Sequence, residues 1–168
     1  MKRTCWRGVF ALTMLMVSPA WAQLEGGRTL YGLDEVGVVV ENVHPDVERQ
    51  GLSRATLQTE VVLRLQQAGI RVLTEDEWGE TPGRPFLYLY IGIVPLDNFP
   101  VYSVTVTLQL RESACLARNL IICETAITWE DVGVTRAVSV SRLASLQQDV
   151  SNVVDRFTNA YLAENPKR

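Results

Sequence analysis

The stretch FLYLYIGIVPLDNFPVYSVTVTLQL, residues 86–110, decides the fold. Leu87, Leu89, Ile91 and Ile93 alternate with Phe86, Tyr88, Tyr90 and Gly92, and Tyr102, Val104, Val106, Leu108 and Leu110 alternate with Ser103, Thr105, Thr107 and Gln109. A period of two with one apolar side is the pattern of antiparallel strands that bury a single face. Asp97-Asn98 tolerates the positive φ of a two-residue hairpin turn. That turn pairs Ile93 with Tyr102, Ile91 with Val104, Leu89 with Val106 and Leu87 with Leu108, so apolar residues meet throughout.

The next hairpin, LRESACLARNLIICETAITW (110–129), admits two solutions. A two-residue turn at Arg118-Asn119 pairs Leu110 with Ile127 and Leu108 with Trp129, but leaves Cys115 and Cys123 on opposite faces. An odd-length turn centred on Asn119 makes the cysteines face each other and breaks the core pattern, unless one extra residue near Glu112-Ser113 forms a β-bulge. The bulged solution seats the cysteines on the core face. Cys115 and Cys123 are the only cysteines outside the first 22 residues, and an even pair in an exported chain favours a structural disulfide over free thiols. The spacing is not C-x-x-C, which argues against redox chemistry.

Export is read from MKRTCWRGVFALTMLMVSPAWAQ (1–23): basic Lys2, Arg3 and Arg7, an apolar centre from Val9 to Val17, then Ala20-Trp21-Ala22 before Gln23. This is the layout of a cleaved signal peptide, with cleavage between Ala22 and Gln23 and a periplasmic or secreted product. The apolar centre falls short of the roughly 20 residues needed to span the membrane. Cys5 precedes it and leaves with the signal. Cleavage takes three basic residues and no acidic one, so the formal net charge moves from −3 to −6 and nucleic acid becomes a poor partner. No later apolar run reaches membrane-spanning length.

Residues 23–33 are Gly-rich and read as a flexible leader, with 34–168 forming one domain. Val36–Val43 is a β-branched strand. In SRATLQTEVVLRLQQAGI (53–70), Leu57, Val61, Leu65 and Ala68 recur at helical spacing, Ser53 caps the start, Leu52 staples onto Leu57, and Gly69 ends the helix with Ile70 folded back. A short strand at Arg71–Leu73 precedes Thr74 and Glu77, which have capping-box spacing. The acids Glu75, Asp76, Glu77 and Glu80 lack the ligand spacing of a calcium loop, so no metal and no cofactor is expected. Near the end, Leu143, Leu146, Val150, Val153, Phe157 and Ala160 or Tyr161 form one stripe on a helix of about five turns, closed by Asn165-Pro166. Val132–Val138 reads equally well as an edge strand or as a loop.

The order is an α+β two-layer sandwich, β-α-β-β-β-β-α, with a mixed sheet and two helices on one face. The stretches GLDEVGVVVENVHPD (32–46), TPGRPFLYLY (81–90), TAITWEDVGV (125–134) and FTNAYLAENPK (157–167) together resemble a group of small secreted bacterial proteins of unknown function. That resemblance implies export and a compact domain. The topology is similar to that of small α/β modules in cell-envelope assembly proteins, an analogy of fold alone.

The single histidine, His44, follows the first strand, where Asp46 or Glu48 could orient it. No G-x-S-x-G, phosphate-cradling Gly loop or H-E-x-x-H accompanies it, so catalysis through His44 ranks third among the readings. If the helices cover the face of Leu89 and Val106, the opposite face presents Phe86, Tyr88, Tyr90, Thr105 and Thr107, continued by Gln109, Ala126 and Thr128. An aromatic strip on an uncovered sheet suits contact with an envelope protein or with a second copy of the chain. Small-molecule or glycan binding on the same face comes second. Cross-strand Tyr-Thr pairing that merely supports the sheet is the plainer reading of the strip and stands ahead of contact.

Overall fold

A computed structural model describes residues 28–97, 99–133 and 135–166. The signal-like start lies outside the described residues.

The chain runs β1 (Glu35–Val40), α1 (Pro45–Arg49), α2 (Arg54–Gln67), β2 (Arg71–Val72), α3 (Glu75–Glu80), β3 (Phe86–Pro95), β4 (Val101–Leu116), β5 (Asn119–Val132), β6 (Arg136–Ser139) and α4 (Leu146–Glu164). The sheet order is β2-β1-β3-β4-β5, and β6 pairs with β4 beyond the end of β5. β1 is parallel to β2 and β3, and β3, β4 and β5 form the antiparallel meander. The sheet is therefore mixed, the fold is an α+β two-layer sandwich, and residues 136–139 prove to be a strand.

Helices α2 and α4 cover one sheet face. From α2 come Leu57, Val61 and Leu65, and from α4 Leu146, Val150, Val153, Val154 and Phe157, all buried against Leu87, Leu89, Val104, Val106, Leu108 and Leu110 of the sheet. Full burial of an aliphatic or Phe side chain contributes about 1.5–3 kcal/mol, which is why this face dominates the energetics. The ends of α2 follow the chemistry of its sequence. Ser53 Oγ accepts from the Thr56 amide at 3.2 Å, Gly69 takes a φ of 87°, and the Ile70 amide returns to the Leu65 carbonyl at 3.0 Å.

Three expectations are corrected. The β3–β4 register is Ile93 with Val104, Ile91 with Val106, Leu89 with Leu108 and Leu87 with Leu110, two residues from the expected one, because the connection is the longer loop 97–100. A shift of two preserves every face assignment.

In the β4–β5 hairpin, Cys115 does pair with Cys123 and the two are disulfide-bonded. The bulge, however, lies across from Leu110 and Arg111 with Thr128 of β5 as the extra residue, so Leu110 meets Trp129 instead of Ile127. The turn is Ala117-Arg118, and 120–122 of β5 are left without ladder partners. Cys115 keeps the parity of Thr107 and Gln109, hence the cysteines sit on the face away from the helices and both are exposed. Their Cα atoms are 3.9 Å apart, closer than the roughly 4.4–6.8 Å usual for such bridges.

Finally, the expected leader is part of the domain from Arg28 on. Arg28–Leu30 forms a 3₁₀ turn, Leu30 is fully buried, and Asn165 clasps it by donating to the Leu30 carbonyl at 2.8 Å and accepting from the Gly32 amide at 2.9 Å.

Candidate functional site

The sheet face turned away from α2 and α4 is where the aromatic residues gather. Phe86 and Tyr88 stand beside Gly37 and Val39 of β1, and Tyr88 and Tyr90 stand across from Gln109 and Thr107 of β4. The face assignment thus holds for β3 and β4, where Leu89 and Val106 are buried under the helices while Tyr90 is 45 % and Val39 of β1 37 % exposed, but on β5 the bulge at Thr128 turns Ala126 to the side of Leu110 and sets Ile127 on the open face.

The strip is nonetheless not uniformly open. Trp78 of α3 reaches over its start, edge-on to Phe86 with ring centroids 5.6 Å apart, and its indole N–H donates to the Arg84 carbonyl at 2.9 Å. Gly37 makes room for that ring, since a Cβ there would sit 3.2 Å from Trp78 Cδ1. Tyr88 lies beneath the Arg111 guanidinium, whose Cζ is 3.9 Å from the ring centroid. Arg111 is steered there by Gln109, whose Oε1 accepts from Nε at 2.8 Å and whose amide in turn donates to Glu130 at 2.5 Å.

Tyr90 lies over Gly92, where a Cβ would meet its ring at 3.0 Å. Thr105 Oγ1 shares a hydrogen bond with Thr135 Oγ1 at 2.8 Å. Thr107, only 8 % exposed, is packed between its neighbours and is a poor contact residue. Of the five residues read from the sequence, then, Tyr90 is the open one and Tyr88 and Phe86 are half-covered. Val39, Trp78 and Arg111 complete the surface and were missed. The signal for Trp78 was Gly37, a glycine inside a run of valines, since a glycine within a strand marks a close approach.

His44 has a structural task. It caps α1, with Nδ1 accepting from the Asp46 amide at 3.2 Å, and its ring tilts against Tyr102 at 5.8 Å. The Asp46 carboxylate takes the Tyr102 hydroxyl and the Arg49 guanidinium, while Oδ2 stays 3.8 Å from Nδ1. The backbone therefore orients the imidazole, not the Asp–His pairing that general-base chemistry uses.

Of the four acids on α3, Glu77 closes the capping box with Thr74 and also pairs with Arg71. The hydrogen bonds from Thr74, first its amide and then its hydroxyl, hold the Glu77 carboxyl below the usual range, and Arg71 adds to this. Among the described residues no three metal-ligating side chains converge, and no helix is long and apolar enough to cross a membrane.

No family model and no curated protein matches the chain. Solved structures to which it is similar include the following three. The PelC dodecamer from Paraburkholderia phytofirmans is 18 % identical, with 81 % of this chain and 94 % of that chain covered and a TM-score of 0.43. A minor lipoprotein from Acinetobacter baumannii is 11 % identical, with 79 % and 95 % covered and a TM-score of 0.33. A neuraminyllactose-binding hemagglutinin homolog from Helicobacter pylori is 11 % identical, with 81 % and 89 % covered and a TM-score of 0.28. At these scores neither ligand nor assembly carries over to this chain.

Proposed function

We propose that the chain is an exported, non-catalytic domain of the bacterial envelope that binds protein through the open sheet face centred on Tyr90. The signal-like start supports export, and the observation that carries the binding reading is the face turned away from α2 and α4, on which Tyr90 and Val39 stay exposed while Trp78 packs on Phe86 and Arg111 on Tyr88. Tyr combines a large apolar ring with a hydroxyl and few rotatable bonds, which is the reason it is favoured in protein contacts. The second reading, a small molecule or glycan on the same face, has in its favour the groove lined by Gly37, Arg54, Trp78 and Phe86. His44, occupied as a helix cap, gives no support to catalysis.

The test is a photo-crosslinking amino acid placed at position 90 in the native envelope, with position 63 on α2 as the control. A protein adduct specific to position 90, lost on Val39→Ser and kept on His44→Ala, is the expected result. Absence of any specific adduct at 90, or loss of the cellular phenotype in a folded His44→Ala variant, overturns the proposal. Intact mass of the exported product, beginning at Gln23, checks the processing step.

A further inference from the structure

A second apolar surface lies at the tip of the β4–β5 hairpin. The hairpin is tied to the domain at Ser113, whose amide donates to the Gly83 carbonyl at 2.7 Å. Beyond it the ribbon runs through the Cys115–Cys123 bridge to the turn at Ala117-Arg118, and every residue from Ala117 to Thr125 is exposed. At about 3.3 Å per residue the turn stands roughly 10 Å beyond the Ala114–Glu124 pair. Leu120, Ile121 and Ile122 follow one another in this tip and all are exposed, Ile121 at 92 %. In an extended segment successive side chains point to opposite sides, so the apolar surface wraps the ribbon instead of forming a stripe on one side. From Ser113 to Cys123 the sequence holds a single charged side chain, Arg118 at the turn, and the flanking acids are Glu112 and Glu124.

We propose that this tip docks on a phospholipid bilayer, with Leu120, Ile121 and Ile122 entering the boundary between headgroups and acyl chains and the Arg118 guanidinium reaching back to lipid phosphate. The two-sided apolar surface selects this occupant. A groove on a protein covers one side of a ribbon and leaves the other wet, whereas acyl chains surround it. Charge agrees, because a lone guanidinium with no acid between Glu112 and Glu124 suits a surface lined with phosphates, and a long basic side chain keeps its head in the polar layer while its stem lies among apolar groups. Length agrees as well. Interfacial apolar elements sink about 5–10 Å, a depth that takes in the tip and leaves Glu112 and Glu124 in water. Within the tip the Ile121 amide already donates to Asn119 Oδ1 at 3.2 Å, which lowers the cost of taking that part of the backbone out of water. The contact is peripheral and does not depend on the open-face reading, because the tip and the face are separate surfaces.

Co-flotation of the product exported by cells expressing the full chain with vesicles of phosphatidylethanolamine and phosphatidylglycerol tests the proposal. Binding is expected, and Leu120→Ser with Ile121→Ser should weaken it at least about tenfold while leaving the thermal melt in place, since both side chains are exposed. Arg118→Glu should weaken binding and Arg118→Lys should keep most of it, whereas Tyr90→Ser with Val39→Ser should leave it unchanged. In the native envelope, an aliphatic photo-crosslinking residue at position 121 should label phospholipid. The inference is overturned by a protein that stays with the buffer at every lipid concentration, by vesicle binding indifferent to the tip variants, or by label passing from position 121 to protein alone. Each of these outcomes leaves the open-face proposal standing, since that one is read at position 90.

Discussion

Replacing Cys115 and Cys123 by serine removes a bridge whose residues are eight apart in sequence, closing a loop of nine. In the chain-entropy model a loop of that size constrains the unfolded state by about 2.5 kcal/mol, so this is the ceiling expected for the loss in global stability. The structure lowers the expectation further for the fold itself. Residues 119–125 are exposed, and the core pairs Leu87–Leu110 and Leu89–Leu108 are formed by β3 and β4 upstream of the cysteines. Removing the bridge therefore loosens the distal hairpin and leaves the sandwich intact. Urea unfolding followed by the fluorescence of the tryptophans gives the global figure, and amide hydrogen exchange resolved along β4 and β5 gives the local one. Exchange should accelerate at 112–126 and stay unchanged at 104–110. A loss well above about 4 kcal/mol, or exchange rising equally in both segments, would show that the bridge holds the core and that the hairpin does not stand apart from it.

Two further expectations concern single side chains. Gly133→Ala should destabilise by about 1–3 kcal/mol in thermal unfolding, because the new Cβ would lie 2.8 Å from the Val106 carbonyl oxygen and 3.0 Å from Val153 Cγ1, forcing β5 away from β4. For Glu77, whose folded pKa lies below its unfolded one, the stabilisation is present above the unfolded value and is lost as pH falls through the lower folded value; an NMR titration should show the depressed midpoint, and Thr74→Ala should move it upward.

What the sequence revealed and what it concealed divide along physical lines. The alternation in 86–110 and the helical stripe from Leu146 to Phe157 each report one buried face, and a buried face is what periodicity encodes. The same period of two hides even register errors, which is how the β3–β4 pairing could slip by two residues with no apolar mismatch to betray it. The bulge was legible as one of two solutions, the one that a Cys115–Cys123 bridge requires if the core pattern is also to be kept. Its position was not. Ile127 and Trp129 are both apolar, so Leu110 could be matched by moving the ladder either way, and only packing of Trp129 edge-on against Phe157 at 5.0 Å decides it. Leu30 was concealed for a different reason: the clasp that seats it comes from Asn165, 135 residues away, and carries no local pattern. At the open face, Tyr88 and Tyr90 were legible from alternation, but the cover from Trp78 and Arg111 depends on a helix and a side-chain network that strand periodicity does not describe.

Thr128 is the point on which these features turn. After it, Trp129 packs on Phe157 and Asp131 pairs with Arg156, so the last part of β5 is tied to α4. Before it, the inserted residue reverses which side chains face the helices, and Ile127 and Cys123 are directed to the open face. A strand segment that contributes nothing to the core gains no stability from burial, yet a two-stranded ribbon is at best marginally stable in water. The Cys115–Cys123 bridge supplies that missing constraint at the outer end, and the Ser113 amide, donating to the Gly83 carbonyl at 2.7 Å, supplies another at the inner end. The hairpin, with Leu120, Ile121 and Ile122 exposed beside its bridge, thus stands outside the core on these constraints instead of on burial.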